Sequence, residues 1–337
     1  MVSCGDQVGK GQMIARASNY ISAAIHSPTS GTVVAIEERP VPHPSALPGL
    51  CVVIESDGED RWAEGLPARH PDFRELSDVD LRNIVRDAGI VGLGGAAFPT
   101  AVKLNPAGKT IDTLVINGIE CEPYITCDDR LMREHASEIL SGIAVVQHMI
   151  HPGQTLIGVE DNKPKAVCAL QEALEQNPLP NTEIVVIPTL YPSGGEKQLI
   201  KILTGKEVPS MGLPMSIGII CQNVGTMHAV HKAVIEGEPL IERLMTVTGD
   251  AVKEPCNLRV RIGTSIADCI KAASGYTSTV QRLIMGGPMM GFALDRDDLP
   301  VLKSTNCLLA ASAELAPPPS SSMPCIRCGE CMKVCPA

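Results

Sequence analysis

Gly89-Ile-Val-Gly92-Leu-Gly94-Gly95-Ala-Ala-Phe98-Pro99-Thr100 is the stretch that decides the fold, because it joins a predicted helix to a series of strands and helices. That helix begins at Ser77-Asp-Val-Asp80, a capping box, and places Leu81, Ile84 and Val85 on one face. Glycines crowded at a helix–strand junction let the backbone approach a phosphate or a flat ring, to which they offer N–H donors. By itself, such a loop is equally consistent with a tight structural turn.

Strands and helices alternate from Ser77 to about Glu238. The predicted strands are Thr113–Ile116, Thr155–Val159, Ile184–Ile187 and Ile217–Cys221. The predicted helical stretches are Asp128–Met149, Lys163–Glu175, Glu196–Leu203 and Thr226–Glu236. Gly205 is placed where a C-terminal helix cap is expected. Strands separated by helices of this length predict a parallel sheet covered on both faces.

Polar segments follow three of these strands. Asn117-Gly-Ile-Glu120-Cys-Glu122-Pro-Tyr124 follows the first strand, Tyr191-Pro-Ser-Gly-Gly195-Glu196-Lys197 the third, and Asn223-Val-Gly-Thr226 the fourth. Ligands bind at the carboxyl ends of parallel strands in open α/β sheets. The three segments and the glycine-rich loop together therefore predict a flavin or nucleotide pocket.

A cysteine motif lies near the end of the chain. Cys325, Cys328, Cys331 and Cys335 have the spacing C-x₂-C-x₂-C-x₃-C and are followed by Pro336, which is the pattern of bacterial ferredoxins. In that pattern the first three thiols bind one 4Fe–4S cluster and the fourth binds a second cluster. A structural zinc site and a chance cluster of cysteines are the alternatives. The motif predicts electron transfer.

Short strands and turns flank the α/β region. Residues 1–70 resemble the barrel-sandwich hybrid of biotinyl and lipoyl carriers, but no lysine lies at the tip of an exposed hairpin, so we expect a structural β-domain without a covalent cofactor. Residues 241–315 resemble a β-grasp module of the soluble-ligand-binding type. The chain is thus divided into four parts. The β-domain covers residues 1–70, the α/β domain 71–240, the β-grasp module 241–315, and a linker with a partial ferredoxin motif 316–337.

Composition limits the classes of function. The formal net charge of −10 and an aromatic content of 2% argue against a nucleic-acid surface. No apolar run approaches the roughly 18 residues needed to span a bilayer. The nine cysteines outside the motif are expected to be reduced and mostly core residues: Cys4, Cys51, Cys121, Cys127, Cys168, Cys221, Cys256, Cys269 and Cys307.

Four histidines lie in predicted helices, and the sequence pattern places no second metal ligand with them. We interpret His135, His148, His228 and His231 as ordinary helix residues. His228 and His231 are three residues apart and could share a metal ion, but the sequence shows no supporting ligand.

The order Gly-x-Gly-Gly-Ala-x-Phe-Pro-Thr, Asn-x-x-Glu-x-Glu-Pro, Gly-Glu and Asn-Val-x-Thr resembles the FMN- and NADH-binding flavoprotein subunit of respiratory complex I. The whole chain more closely resembles the RnfC family, whose members are subunits of the Rnf/Rsx electron transport complexes. That closer match is carried by Glu120–Arg130, Glu160–Pro164, Tyr191–Gly195 and Asn306–Leu309. The family usually has an extra amino-terminal segment and a second ferredoxin motif, so we expect this chain to be a fragment.

The resemblance implies the site residues. Those bordering the FMN phosphate are Gly92, Gly94, Gly95 and Lys103; those around the ribityl chain and isoalloxazine are Asn117, Glu120, Gly195, Glu196, Asn223 and Thr226; those facing the nicotinamide nucleotide are Phe98 and Glu122. Three positions depart from the complex I pattern. Leu93 replaces an arginine that would clamp a phosphate, Cys121 replaces a glycine, and Lys197 replaces a glutamate.

The resemblance also implies a function. The chain would be a peripheral electron-entry subunit on the cytoplasmic side of a bacterial inner membrane, passing electrons from NADH through FMN and two 4Fe–4S clusters toward ferredoxin or a membrane partner of the Rnf/Rsx type. We expect the fragment itself to hold no stable cluster. The alternatives are a soluble NADH-dependent diaphorase subunit of another dehydrogenase and a non-catalytic adaptor that docks clusters.

Overall fold

The computed structural model describes residues 2–277, 279–318 and 324–334. Its elements fall into an N-terminal β region, a central α/β region and a second β region that carries one helix. No helix in these ranges is long and apolar enough to cross a membrane.

The N-terminal region consists of short strands and one long hairpin. Its strands are β1 (Gln7–Val8), β2 (Met13–Ala15), β3 (Ile25–His26), β4 (Gly31–Pro40) and β5 (Pro48–Ser56). β4 pairs with both β1 and β5 in an antiparallel sheet, and β2 pairs with β3. Val8, Ile14 and Val33 form its small core. β4 and β5 are longer than the short strands expected in residues 1–70.

The central region contains a four-stranded parallel sheet. Its strands are β6 (Thr113–Gly118), β7 (Gln154–Glu160), β8 (Thr182–Ile187) and β9 (Ile219–Asn223), in the spatial order β8-β7-β6-β9. Its helices are α1 (Asp78–Asp87), α2 (Thr100–Lys103), α3 (Cys127–Glu134), α4 (Ala136–Ile150), α5 (Pro164–Gln176), α6 (Glu196–Thr204) and α7 (Val224–Ile235). Two 3₁₀ turns lie at Phe73–Glu75 and Pro214–Ile217.

Helices cover this sheet on both faces, as predicted. The large core packs α1, α3, α4, α5 and α7 on one face, and a smaller core packs α6 on the other. Alternate strand residues serve the two cores: Leu114 and Ile116 belong to the first, whereas Val115 belongs to the second. Ser77 caps the start of helix α1, because its side chain accepts the Asp80 N–H, and this confirms the predicted cap.

The single helical stretch predicted at Asp128–Met149 is wrong in one respect. His135 has φ −128° and ψ 30°, which is outside the helical region, so the stretch divides into α3 and α4. The prediction for Gly205 is confirmed, because it caps α6 in the left-handed conformation with φ 71°.

The third region is a mixed five-stranded sheet in the order β11-β10-β14-β12-β13. Its elements are β10 (Glu242–Thr248), β11 (Cys256–Arg261), α8 (Ile266–Ala272), β12 (Arg282–Met285), β13 (Phe292–Leu294) and β14 (Cys307–Ala311). α8 packs its apolar side against this sheet, as expected of the predicted β-grasp module. A last short helix, α9 (Glu330–Val334), follows the linker. The exact domain boundaries at residues 70, 240 and 315 stay a prediction.

The nine scattered cysteines are all free, as predicted, but they are not mostly core residues. Only Cys127, Cys221, Cys269 and Cys307 are buried. Cys4 and Cys168 are exposed because they lie in a surface turn and on the outer side of α5.

Candidate functional site

The glycine-rich loop is closed at its base and open at its tip. The Gly92 N–H donates to the Phe98 carbonyl at 2.8 Å, and the Ala97 N–H donates to the Gly92 carbonyl at 3.1 Å. Gly94, Gly95 and Ala96 at the tip are exposed. Within the described part of the chain, their three N–H groups donate to no protein acceptor. Consecutive free amides of this kind form an anion-binding concavity.

Leu93 fixes the orientation of this tip. Its N–H donates to Thr226 Oγ1 at 3.0 Å, and its carbonyl accepts from Arg243 Nη2 at 3.1 Å. Because a trans peptide points its carbonyl and its N–H in opposite directions, a Leu93 carbonyl held inward turns the Gly94 N–H outward. Sequence reasoning did not identify Arg243, which lies in β10 of the third region.

A second buried cation supports the start of the loop. Lys303 Nζ donates to the Gly89 carbonyl at 2.6 Å and to the Ala24 carbonyl at 2.7 Å, so it joins all three regions. Burial lowers the pKa of Lys303 to about 7, and burial likewise lowers the pKa of Arg243. Nothing in the sequence around Lys303 distinguishes it from an ordinary surface lysine, and so it too was missed.

The strand ends lie directly beside the loop. Asn117 of β6 and Asn223 of β9 are partners across the sheet. Asn117 Nδ2 donates to the Gly194 carbonyl at 2.9 Å, and Asn223 Nδ2 donates to the Asp128 carboxylate at 2.6 Å. A Cβ placed on Gly94 would lie 3.4 Å from the Asn223 Cβ. The structure therefore brings the predicted residues of the first and fourth strands to the glycine loop.

Lys103 and Glu196 contact each other. Lys103 Nζ forms an ion pair with Glu196 Oε1 and so links α2 to the first turn of α6, directly after Gly195. Both side chains are partly exposed. The predicted phosphate cation is thus already neutralised in part by another predicted site residue.

Glu120 turns away from solvent into the protein. Its carboxylate accepts the Asp128 N–H at 2.8 Å and the Asp129 N–H at 3.2 Å at the start of α3, and Lys163 Nζ lies 3.5 Å away. Burial, together with the neighbouring Asp128, raises the pKa of Glu120 to about 7. Glu120 therefore supports α3 from below the strand ends, and its predicted contact with a flavin stays a prediction.

Glu122 reaches the third region. Its Oε2 accepts the Met289 N–H at 3.0 Å, from the turn between β12 and β13. Its Oε1 is buried and, among the described residues, has no hydrogen-bond partner. An unpaired buried carboxylate oxygen costs free energy unless a ligand donates to it. Phe98, the other residue predicted to face a nucleotide, is 41% exposed at the open end of the loop.

Three of the four motif cysteines lie in the described residues. Cys325, Cys328 and Cys331 are exposed and free, and the Arg327 N–H lies 3.4 Å from Cys325 Sγ, the kind of donor that thiolates in a cluster accept. Cys335 lies outside the described residues, so its predicted role as a ligand has no geometry here.

Comparison with known proteins places this geometry in a family. Residues 1–59 match a family model described as the RnfC barrel sandwich hybrid domain, residues 85–232 match the Nuo51 FMN-binding domain, and residues 244–293 match the SLBB domain. The chain is 52% identical, over 99% of its length, to the C subunit of the ion-translocating oxidoreductase complex of Pseudomonas aeruginosa. It belongs to the RnfC family.

A relative of the same name from Vibrio cholerae is 48% identical over 100% of the chain. The chain spans 43% of the length of each of these two relatives. Among solved structures, an NAD⁺-reducing [NiFe]-hydrogenase in its H₂-reduced state is similar, with a TM-score of 0.60 and 21% identity over 72% of this chain and 48% of that one. This likeness shows the fold. Together, the three family models and the observed sheets confirm the barrel-sandwich hybrid, parallel α/β and β-grasp architecture.

Proposed function

We propose that this chain carries the flavin site of a peripheral electron-entry subunit, which takes electrons from NADH and passes them to 4Fe–4S clusters. The observation that carries the proposal is the set of three exposed N–H groups at Gly94–Ala96 that have no acceptor among the described residues, beside the carboxyl ends of β6 and β9. They suit the terminal phosphate of FMN, because backbone amides at such a loop attract an anion. Bound FMN supplies the chemistry of accepting an electron pair and releasing single electrons.

The remaining predicted residues have consistent roles in this proposal. Lys103, whose charge Glu196 neutralises in part, is held by that ion pair and would donate a hydrogen bond to the phosphate. Asn117 and Asn223 lie at adjacent strand ends beside the glycine loop. The Glu122 side chain would have to turn for its buried Oε1 to accept from a hydroxyl of the nicotinamide nucleotide. Arg243 is a positioning residue, since it acts through the Leu93 carbonyl and not on the ligand.

The exposed thiols of Cys325, Cys328 and Cys331 suit the next carrier. In the proposal they bind a 4Fe–4S cluster, and Cys335 serves a second cluster completed by another cysteine motif. Ferredoxin or another carrier would then exchange electrons through Rnf/Rsx membrane subunits on the cytoplasmic side of the inner membrane. The motif is consistent with a protein that acts between a two-electron donor and one-electron acceptors.

Anaerobic purification with added FMN, followed by absorbance spectra before and after NADH, tests the proposal. We expect flavin to remain bound after gel filtration and its visible absorbance to be bleached by NADH. Bound flavin that NADH does not bleach would contradict the NADH step alone. Failure to retain any flavin would contradict the flavin site and favour the docking adaptor.

A further inference from the structure

Three side chains on the central region converge on one point. His135 lies between α3 and α4, Glu138 lies in the first turn of α4, and His228 lies on α7. His135 Nδ1 is 2.9 Å from Glu138 Oε1, and His228 Nε2 is 2.8 Å from Glu138 Oε2. The two imidazole rings are 5.1 Å apart between centroids. The carboxylate thus bridges two histidines 93 residues apart in sequence (228 − 135).

The backbone holds these side chains on rigid elements. Helices α4 and α7 approach so closely at Gly142 that a Cβ there would lie 1.9 Å from the Met227 carbonyl oxygen. Glu138 is one turn before Gly142, and His228 directly follows Met227, so the glycine contact sets the distance between the two side chains. Their side chains are 31% and 19% exposed, and that of His135 is 22% exposed. The cluster is therefore both preorganised and reachable.

We propose that His135 Nδ1, the Glu138 carboxylate and His228 Nε2 bind a first-row divalent cation, Zn²⁺ being the best match. All three donor atoms lie within 4.8 Å of one another. Two imidazoles and one carboxylate form a donor set that zinc adopts with a fourth, open position. Tetrahedral bonds of about 2.0–2.2 Å put ligand atoms roughly 3.3 Å apart, so the pairs at 2.9 and 2.8 Å need only small side-chain rotations.

The open position faces a cavity. His135 and His228 line a cavity of about 480 Å³ whose walls come from all three regions, including Trp62 and Arg259. A water molecule or a small anion can therefore complete the coordination of the cation. The cation would also replace the protons that the two histidines now donate to Glu138, and so neutralise a carboxylate that lies beside the cavity without lining it.

Arg259 contacts the second ring nitrogen of His135. Its Nη2 is 3.3 Å from His135 Nε2, which must carry the proton once Nδ1 binds the cation. Two donors would then face each other, so Arg259 must turn away. Its side chain is 53% exposed, and Glu242 lies 3.8 Å away as an alternative partner. Arg259→Gln should therefore bind the cation at least as tightly, because the glutamine carbonyl can accept the Nε2–H.

A competing donor set shares Glu138. His231 and Glu236 also lie within 4.8 Å of it. The Glu236 carboxylate, however, already pairs with Lys232 Nζ at 2.6 Å. The positive charge of Lys232 would repel a metal cation bound to Glu236. The structure therefore assigns the site to His135 and His228.

Titration with Co²⁺ and competition with Zn²⁺ test this assignment in the full chain. Cys325, Cys328, Cys331 and Cys335 are replaced by serine so that the clustered thiols of the cysteine motif do not take the metal. We expect one equivalent of Co²⁺ with visible d–d bands and no thiolate charge-transfer band. His228→Gln should weaken binding at least about 100-fold, beyond the 10- to 100-fold typical of losing an outer-shell partner. His148→Gln, elsewhere on α4, should leave the affinity unchanged.

Zinc X-ray absorption on the same protein needs no ligand variant and reads nitrogen and oxygen ligands directly. Absence of a saturable one-equivalent site overturns the proposal. So does sulfur ligation in the X-ray spectrum. A loss of affinity in His231→Gln that His228→Gln does not show assigns the cation to the competing set and also overturns it.

Discussion

Glu120 shows at the scale of one residue how the site is supported. It is a buried carboxylate that accepts two backbone N–H groups of α3, and its pKa is raised to about 7 because burial disfavours its charged form. The folded protein therefore binds a proton at Glu120 more tightly than the unfolded chain does. Between the unfolded pKa of 4.5 and about 7, this residue's contribution to stability falls as pH rises.

Glu120→Gln should remove that pH dependence, because glutamine keeps an acceptor but does not ionise. We expect the melting temperature of Glu120→Gln, relative to the unmodified chain, to rise between pH 5 and pH 8. Each unit of pKa shift corresponds to about 1.4 kcal/mol. Glu172→Gln, on the exposed side of α5, is the control. A difference in melting temperature that stays constant across this range would contradict the assignment.

Site residues could be predicted where a polar side chain directly follows a recognisable strand in the sequence. Asn117 and Asn223 follow apolar strands, so their meeting at one sheet edge could be expected. Arg243 and Lys303 could not be found this way, because their partners are backbone carbonyls in other regions of the chain. Glu138 was not identified as a partner of His228, because their contact depends on how helix α4 packs against helix α7.

Helix α7 connects element structure to the site. Asn223 caps it by accepting the Gly225 N–H at 2.8 Å and also donates to Asp128 of α3, while Thr226 holds Leu93 of the glycine loop. The start of one helix thus fixes a strand end, a neighbouring helix and the loop together. A substitution at the N-terminus of helix α7 should therefore weaken ligand binding as well as destabilise the helix.

Asn223→Ala should lower stability by about 0.5–2 kcal/mol through loss of the cap and should also weaken FMN binding at least about tenfold, since a tenfold change is 1.4 kcal/mol. Ser265→Ala is the matched control, because Ser265 caps α8 in the same manner in the third region. Thermal melts and FMN titrations of both variants are the measurement. Equal effects of the two variants on FMN affinity would contradict a special role for α7.

Elements were predicted well where apolar periodicity is strong, and less well at breaks. The four parallel strands were found because each is an apolar run between turn residues. The break at His135 was missed, since Glu134-His-Ala has no glycine or proline to mark it. The backbone leaves the helix there while the His135 side chain bonds Glu138 in the next helix.

At the scale of the whole molecule, the third region holds the glycine loop of the second. Arg243 reaches the Leu93 carbonyl from β10, and Lys303 reaches the Gly89 carbonyl while also binding Ala24 in the first region. The orientation of the loop is therefore a property of the assembled molecule and not of the α/β region alone. The architecture followed from local patterns in the sequence, whereas these contacts between regions required the tertiary structure.

Arg243→Met should weaken FMN binding and lower the melting temperature. Methionine fills the space but donates no hydrogen bond, so the Leu93 carbonyl is left buried without this donor, at a cost of about 1–3 kcal/mol. Lys303→Met is the comparison, because it releases Gly89 and Ala24 but keeps the bond to Leu93. We expect similar melting temperatures for the two variants and a larger loss of FMN affinity for Arg243→Met. The reverse order in titrations would contradict the positioning role.

Calorimetric titration of the chain with FMN tests the central claim most directly. We predict one site per chain. Gly94→Val should abolish binding, because a Cβ at Gly94 already lies 3.4 Å from Asn223 and the further methyl groups would occupy the phosphate approach. Gly49→Val, where a Cβ would lie 3.3 Å from Val41 in the N-terminal region, should bind FMN normally. Two results would contradict the flavin site. One is no binding at FMN concentrations on the order of millimolar, which correspond to a binding free energy of only about 4 kcal/mol. The other is unchanged FMN binding by Gly94→Val.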